Sequence, residues 1–151
     1  MGKILSVNIS YRQGEKKHDI VSCPALINTG LKNDAHAGME TRQISLPADE
    51  SIEKMRRKGL KVAFGDFSEN LTTAGIDLIS LPVGTKLKAG NDVLLEVTQI
   101  GKICPKPCAI FYSVGECVMP KEGIFTRVLT AGDICVGDEI IVLDSNYYSG
   151  N

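Results

Sequence analysis

The sequence predicts a mainly β fold, a barrel or sandwich of short strands with few helices. Three observations carry this. The second half falls into short runs at 85–88, 93–100, 123–129, 135–136 and 139–143. Turns rich in Gly, Asn and Asp at 89–92, 130–133 and 137–138 divide them, the punctuation expected of antiparallel strands. Near the start, Leu5, Val7 and Ile9 alternate with Ser6, Asn8 and Ser10, the period of a half-buried strand.

After that strand, residues 14–17 read as a turn, and the apolar residues of 19–27 predict a second strand interrupted at Pro24. The polar stretch 28–40 carries Gly30, Gly38, Asn33 and Asp34. It is long for a plain connection, and long loops in compact proteins are often functional. Residues 42–46 form a candidate short strand. The one convincing helix spans 49–58, with Asp49, Glu50 and Glu53 near its start, Lys54, Arg56, Arg57 and Lys58 near its end, and Gly59 just beyond. That order matches the helix dipole, and Gly59 supplies a left-handed cap. Its apolar stripe is only Ile52 and Met55, so it should lie on the surface of something larger. The polar tail, 145–151, is expected to fray. No repeat or linker divides the chain, so residues 1–151 read as one domain.

Composition narrows the function. Hydrophobic residues make up 43% and charged residues 23% of the chain, which excludes disorder, collagen-like repeats and coiled coil. Seventeen basic against eighteen acidic residues leave a net charge of −1, and there is no Trp. Neither phosphate neutralisation nor base stacking is well provided for, so no nucleic-acid partner is expected. No apolar run is long enough to cross a bilayer, and no secretory signal is present. Met1-Gly2-Lys3 fits the loose myristoylation pattern, but the same residues begin the first strand. Five cysteines are an odd set, and reduced thiols in the cytoplasm are the expectation.

The densest chemistry is at 101–112, where Cys104, Pro105, Lys106, Pro107 and Cys108 follow a predicted strand, with Cys117 close behind. Pro107 suits the first turn of a helix. A short helix there would put Cys108 at its N-terminus, where free N–H groups and the charges of Lys102 and Lys106 favour thiolate. Cys108 is therefore the candidate nucleophile and metal ligand. Cys23 and Cys135, flanked by apolar strand residues, read as core. Two other readings stay open. Cys104, Cys108 and Cys117 could hold a structural metal, although C-x3-C-x8-C is not a common zinc spacing and His36 or Cys23 would have to complete it. Cys104 and Cys108 could instead form a redox-sensing pair, with two prolines against the geometry. The segments 30–38 and 65–75 combine glycines with compact polar side chains, but neither fits a P-loop or a Rossmann turn. His36 alone is more often a structural hydrogen-bonding residue than a catalyst.

Taken together, these segments resemble the small stand-alone members of the MOSC family, named for the C-terminal domain of molybdenum cofactor sulfurase. The resemblance rests on DAHAG (34–38), RQISL (42–46), SIEKMRRKG (51–59), GDFSENLTTAGIDL (65–78), LPVGTKLKAG (81–90), LEVTQIGKICPKPCAIF (95–111), GECVMPKEGIFTRVL (115–129) and VGDEI (136–140). Asn33 departs from the family pattern, standing where glycine would precede DAHAG, and could take a left-handed φ at small cost. The resemblance implies an antiparallel β-barrel-like fold with a few short helices, and a role in molybdenum cofactor metabolism. It implies that Cys108 either carries sulfur as a persulfide or ligates molybdenum. His36, Arg42, Phe67, Asn70, Thr72 and Arg127 match segments lining the cofactor pocket, Arg42 and Arg127 as candidates for the phosphate of molybdopterin. No pyridoxal phosphate is expected in this chain, so sulfur would come from a cysteine desulfurase and pass to the cofactor or a molybdoenzyme. Whether the chain catalyses that transfer itself is left open by the resemblance.

Overall fold

The computed structural model describes residues 2–12, 15–59, 61, 63–65, 69–100 and 123–143. The first half contains β1 (Gly2–Ile9), β2 (His18–Asp19), β3 (Ser22–Leu26), β4 (Gly30–Leu31), β5 (Ile44–Leu46), α1 (Asp49–Arg57) and β6 (Leu71–Ala74). The second contains β7 (Lys86–Ala89), β8 (Val93–Ile100), β9 (Ile124–Thr130), β10 (Gly132–Cys135) and β11 (Glu139–Leu143).

β1 organises the sheet. It pairs with β11 at Gly2 and Lys3, with β2 at Asn8 and Ile9, and with β6 between Lys3 and Val7. From β11 the antiparallel order continues through β7, β8 and β9 to β5. The chain just after β5 then returns to β6. Thr73 N donates to Pro47 O at 3.2 Å, and Ala48 and Thr73 form a parallel bridge. The sheet is thus curled strongly enough for its ends to meet, in the barrel-like manner expected. A second, three-stranded sheet runs β10-β3-β4.

Alternation explains the interior. Val93, Leu95 and Val97 of β8 are wholly buried while Leu94, Glu96 and Thr98 face outward. They meet Ile4, Val7, Leu87, Ile124, Val128 and Ile140 in one cluster. Each such side chain contributes about 1.5–3 kcal/mol on burial. α1 ends as expected, with Gly59 at φ 92°, and buries only Ile52 and Met55 among its apolar residues. Among the described residues no helix is long and apolar enough to cross a membrane. Gly2 is buried within β1, and a Cβ there would meet Ala74 O at 2.7 Å.

Several expectations need correction. The alternation of β1 is offset by a bulge between Ile4 and Ser6, so Ile4 rather than Leu5 joins Val7 and Ile9 in the core. The opposite face, Ser6, Asn8 and Ser10, is buried instead of solvated. Before β3 the chain breaks at Ile20 and Val21, not at Pro24. Val21 has φ 70°, whereas Pro24 lies inside β3 with its carbonyl accepting Lys32 N–H at 3.0 Å, because an extended strand tolerates its fixed φ. The turn expected at 130–133 shrinks to Ala131, with Gly132 and Asp133 already in β10. β6 was not expected as a strand. The helix expected at Pro107 and the tail lie outside the described residues.

Candidate functional site

The candidate site is the polar side of the curled sheet. Thr72 is the register partner of Ser6, Asn8 N donates to Asn70 O at 2.7 Å, and Ser45 is the partner of Phe125. Partners across a ladder share a face. The order β9, β5, β6, β1 therefore lines up Phe125, Ser45, Asn70, Thr72, Ser6 and Asn8 on the face opposite the core. All six are buried. Burying so much polar surface costs free energy unless each group finds a partner.

At one end of this face is a wholly buried ion pair. Lys17 Nζ lies 2.8 Å from Asp34 Oδ1, with neither side chain exposed. It also lies 3.1 Å from Ser10 Oγ and 3.0 Å from His36 Nδ1. Asp34 further accepts the Ser10 N–H on Oδ1 and the His36 N–H on Oδ2, each at 3.1 Å. Burial alone pushes the Asp34 carboxyl up. Hydrogen bonding and charge from Lys17, with the backbone N–H groups of Ser10 and His36, outweigh it and hold the group well below the carboxylate range. Asn33, at φ 67°, takes the left-handed conformation open to it and turns the chain into this segment.

Gly65 holds Lys17 from behind. Its carbonyl accepts Lys17 N–H at 2.8 Å, its φ is +94°, and a Cβ there would overlap Lys17 O. The close approach this glycine permits is thus to the chain itself. Gly65→Ala should cost more than the ~1–2 kcal/mol of left-handed strain alone, because backbone must also move. A urea-unfolding midpoint equal to wild type would refute this.

The other predicted residues are distributed as follows. Asn70 ties three strands together: its Oδ1 accepts Ser45 N–H at 2.9 Å and its Nδ2 donates to Asn8 O at 3.1 Å. Thr72 Oγ1 donates to the buried Glu69 Oε2 at 2.9 Å. Arg42 stacks over the Phe125 ring, 5.6 Å from its centre, with Nε 3.4 Å from Gln99 Oε1. Arg127 donates from Nε to Glu96 Oε1 at 3.0 Å, and Lys86 reaches Oε2 of the same carboxylate at 3.1 Å. Phe67 and Cys108, like Cys104 and Cys117, lie outside the described residues. Of the two cysteines expected in the core, Cys23 is buried and donates to Pro24 O and Lys32 O. Burial pushes its thiol pKa up. Cys135 is only half-buried. Among the described residues no three His, Cys, Asp or Glu side chains are grouped to hold a metal.

Lys17 and Ser10 were not anticipated. Lys17 sits in the run Lys16-Lys17-His18, which looks like a solvated turn. Its only signal is the acidic Asp34 seventeen residues on, inside the DAHAG segment.

A sequence model of the MOSC domain matches residues 33–141. The chain belongs to the MOSC domain family. The YuaD protein of Bacillus subtilis superposes on this MOSC chain with a TM-score of 0.76 at 18% identity, covering 93% of this chain and 94% of that one. YiiM from Geobacillus stearothermophilus gives 0.71 at 20% identity, covering 95% and 76%. Both are similarities of fold. A protein of Gibberella moniliformis described as a reductase is 33% identical over 90 residues, 55% of this chain and 16% of that protein. The MOSC chain thus spans a small part of that relative's length.

Proposed function

We propose that this MOSC chain, residues 1–151 acting as one domain, binds a pterin-type molybdenum cofactor or passes sulfur to it, with Cys108 as the reactive thiolate. The observation that carries this reading is the buried polar face of β1 and β6 fronted by Lys17, Asp34 and His36. A buried ion pair is weak support for stability in itself, so its presence beside a row of buried polar side chains favours a binding role. The residues fit such a ligand. Among the described residues Asn8 Oδ1 is buried without a hydrogen-bond partner, an acceptor that a pterin N–H or a bound water would satisfy. His36, Asn70 and Thr72 would shape the polar wall, Phe67 an apolar one, and Arg42 and Arg127 would meet the phosphate. Cys108 would supply a soft thiolate, which suits high-valent molybdenum or sulfane sulfur. The cofactor, when bound, would supply oxygen-atom or electron-transfer chemistry, in keeping with a relative described as a reductase. A cysteine desulfurase or a molybdoenzyme would be the protein partner, in a reducing cytoplasm.

The alternative, a structural metal on Cys104, Cys108 and Cys117, loses support. Of the candidate fourth ligands, the Cys23 thiol is buried with its pKa pushed up by burial, and His36 Nδ1 faces an ammonium. Native mass spectrometry of the chain co-expressed with an intact molybdopterin pathway tests the choice. Added mass of pterin, molybdenum or sulfur is the expected result. Stoichiometric zinc with unfolding on chelation, or unmodified protein from cells whose control molybdoenzyme is loaded, would refute it.

A further inference from the structure

The geometry around Lys17 assigns the protons of His36. An ammonium has donors only, so the imidazole nitrogen 3.0 Å from Lys17 Nζ must present a lone pair. A proton on Nδ1 would set two donors against each other away from water. Asp34 offers no relief, because its Oδ2 is 3.6 Å from Nδ1, beyond a good hydrogen bond. That oxygen already accepts the backbone N–H of His36. The ring proton therefore sits on Nε2. Lys17 and Asp34 are wholly buried while His36 keeps 19% of its side chain exposed, which leaves the open edge to Nε2.

We propose that Lys17 is a positioning residue that locks His36 as the neutral Nε2–H tautomer, a fixed hydrogen-bond donor toward an oxygen acceptor of the bound molecule. This rests on the binding role proposed above and narrows it. The ligand group at this point is a phosphate, oxo or carbonyl oxygen. The Lys17 ammonium is engaged by Asp34, so recognition by His36 is through a directed donor. His36 is then neither a general base nor a metal ligand, since either role needs a lone pair on Nε2.

Long-range proton–nitrogen correlation spectra of the nitrogen-15-labelled full chain at neutral pH test this. The chain has two histidines, and His18→Gln leaves the signals of His36 alone. Expected are a pyridine-type Nδ1 and a pyrrole-type Nε2. An imidazolium, the opposite tautomer or an average of the two would overturn the proposal. Lys17→Arg, also donor-only, should preserve the pattern. Lys17→Met/Asp34→Asn removes the charges together, so it avoids a lone buried ion and should release the tautomers to an average; an unchanged spectrum in that variant would count against Lys17. Titration with inorganic phosphate should shift the Nε2 signal in wild type, with about tenfold weaker binding in the double variant. An unmoved Nε2 signal would refute the donor role. The tautomer is read on ligand-free protein, so this result stands apart from whether a molybdenum cofactor binds.

Discussion

Asp34→Ala should destabilise the protein by about 3–5 kcal/mol, because it takes the Asp34 carboxylate away from the buried Lys17 ammonium. The same change removes the acceptor for the Ser10 and His36 N–H groups, so the loop at 34–38 should loosen with it. Lys17→Met/Asp34→Asn should recover most of that loss, since exchanging a buried ion pair for neutral groups is often close to neutral. Equal unfolding midpoints for the single and double variants would show that the charge is not what matters. The pair also predicts a pH dependence. The Asp34 carboxyl is depressed in the folded state from its ordinary 3.8. Its stabilisation is therefore fully present above that value and is lost as pH falls through the folded pKa. Wild type should lose stability more steeply than the double variant once the pH drops below 3.8. Parallel acid titrations of the two would contradict this.

Cys108→Ser should abolish persulfide acceptance and cofactor retention, while Cys135→Ser keeps both. The argument is chemical. A serine hydroxyl is not ionised at neutral pH and offers molybdenum or sulfane sulfur no soft donor, whereas the sequence around Cys108, with Lys102, Lys106 and Pro107, predicts a thiolate. Cys135 ends β10 and is half-buried, with no such surroundings in sequence. Alkylation and intact-mass measurement after exposure to a persulfide donor reads the first property, and metal analysis after co-expression reads the second. A Cys108→Ser protein that still loads, or a Cys135→Ser protein that fails to, would move the reactive thiol elsewhere.

Local pattern was enough for β8 and β11, whose bounds 93–100 and 139–143 match the runs read from sequence. The charge order of α1 and the cap at Gly59 were legible for the same reason. Each is governed by its own few residues, through alternation, dipole or steric freedom. The motif segments also named His36, Asn70 and Thr72, of which Asn70 and Thr72 lie on the polar face and His36 at its end. What could not be read was where water stops. Alternation marks a boundary between apolar and polar, and Ser6, Asn8 and Ser10 look solvated by that rule. Only the curl that carries β6 and residue 70 beside β1 reveals them as buried. Lys17 is the sharper case. A lysine between Lys16 and His18 looks like surface, and it becomes an interior charge because the fold brings Asp34 to 2.8 Å. Long-range pairing of ions leaves no periodic trace in a chain, so its energetics appear once the sheet has closed.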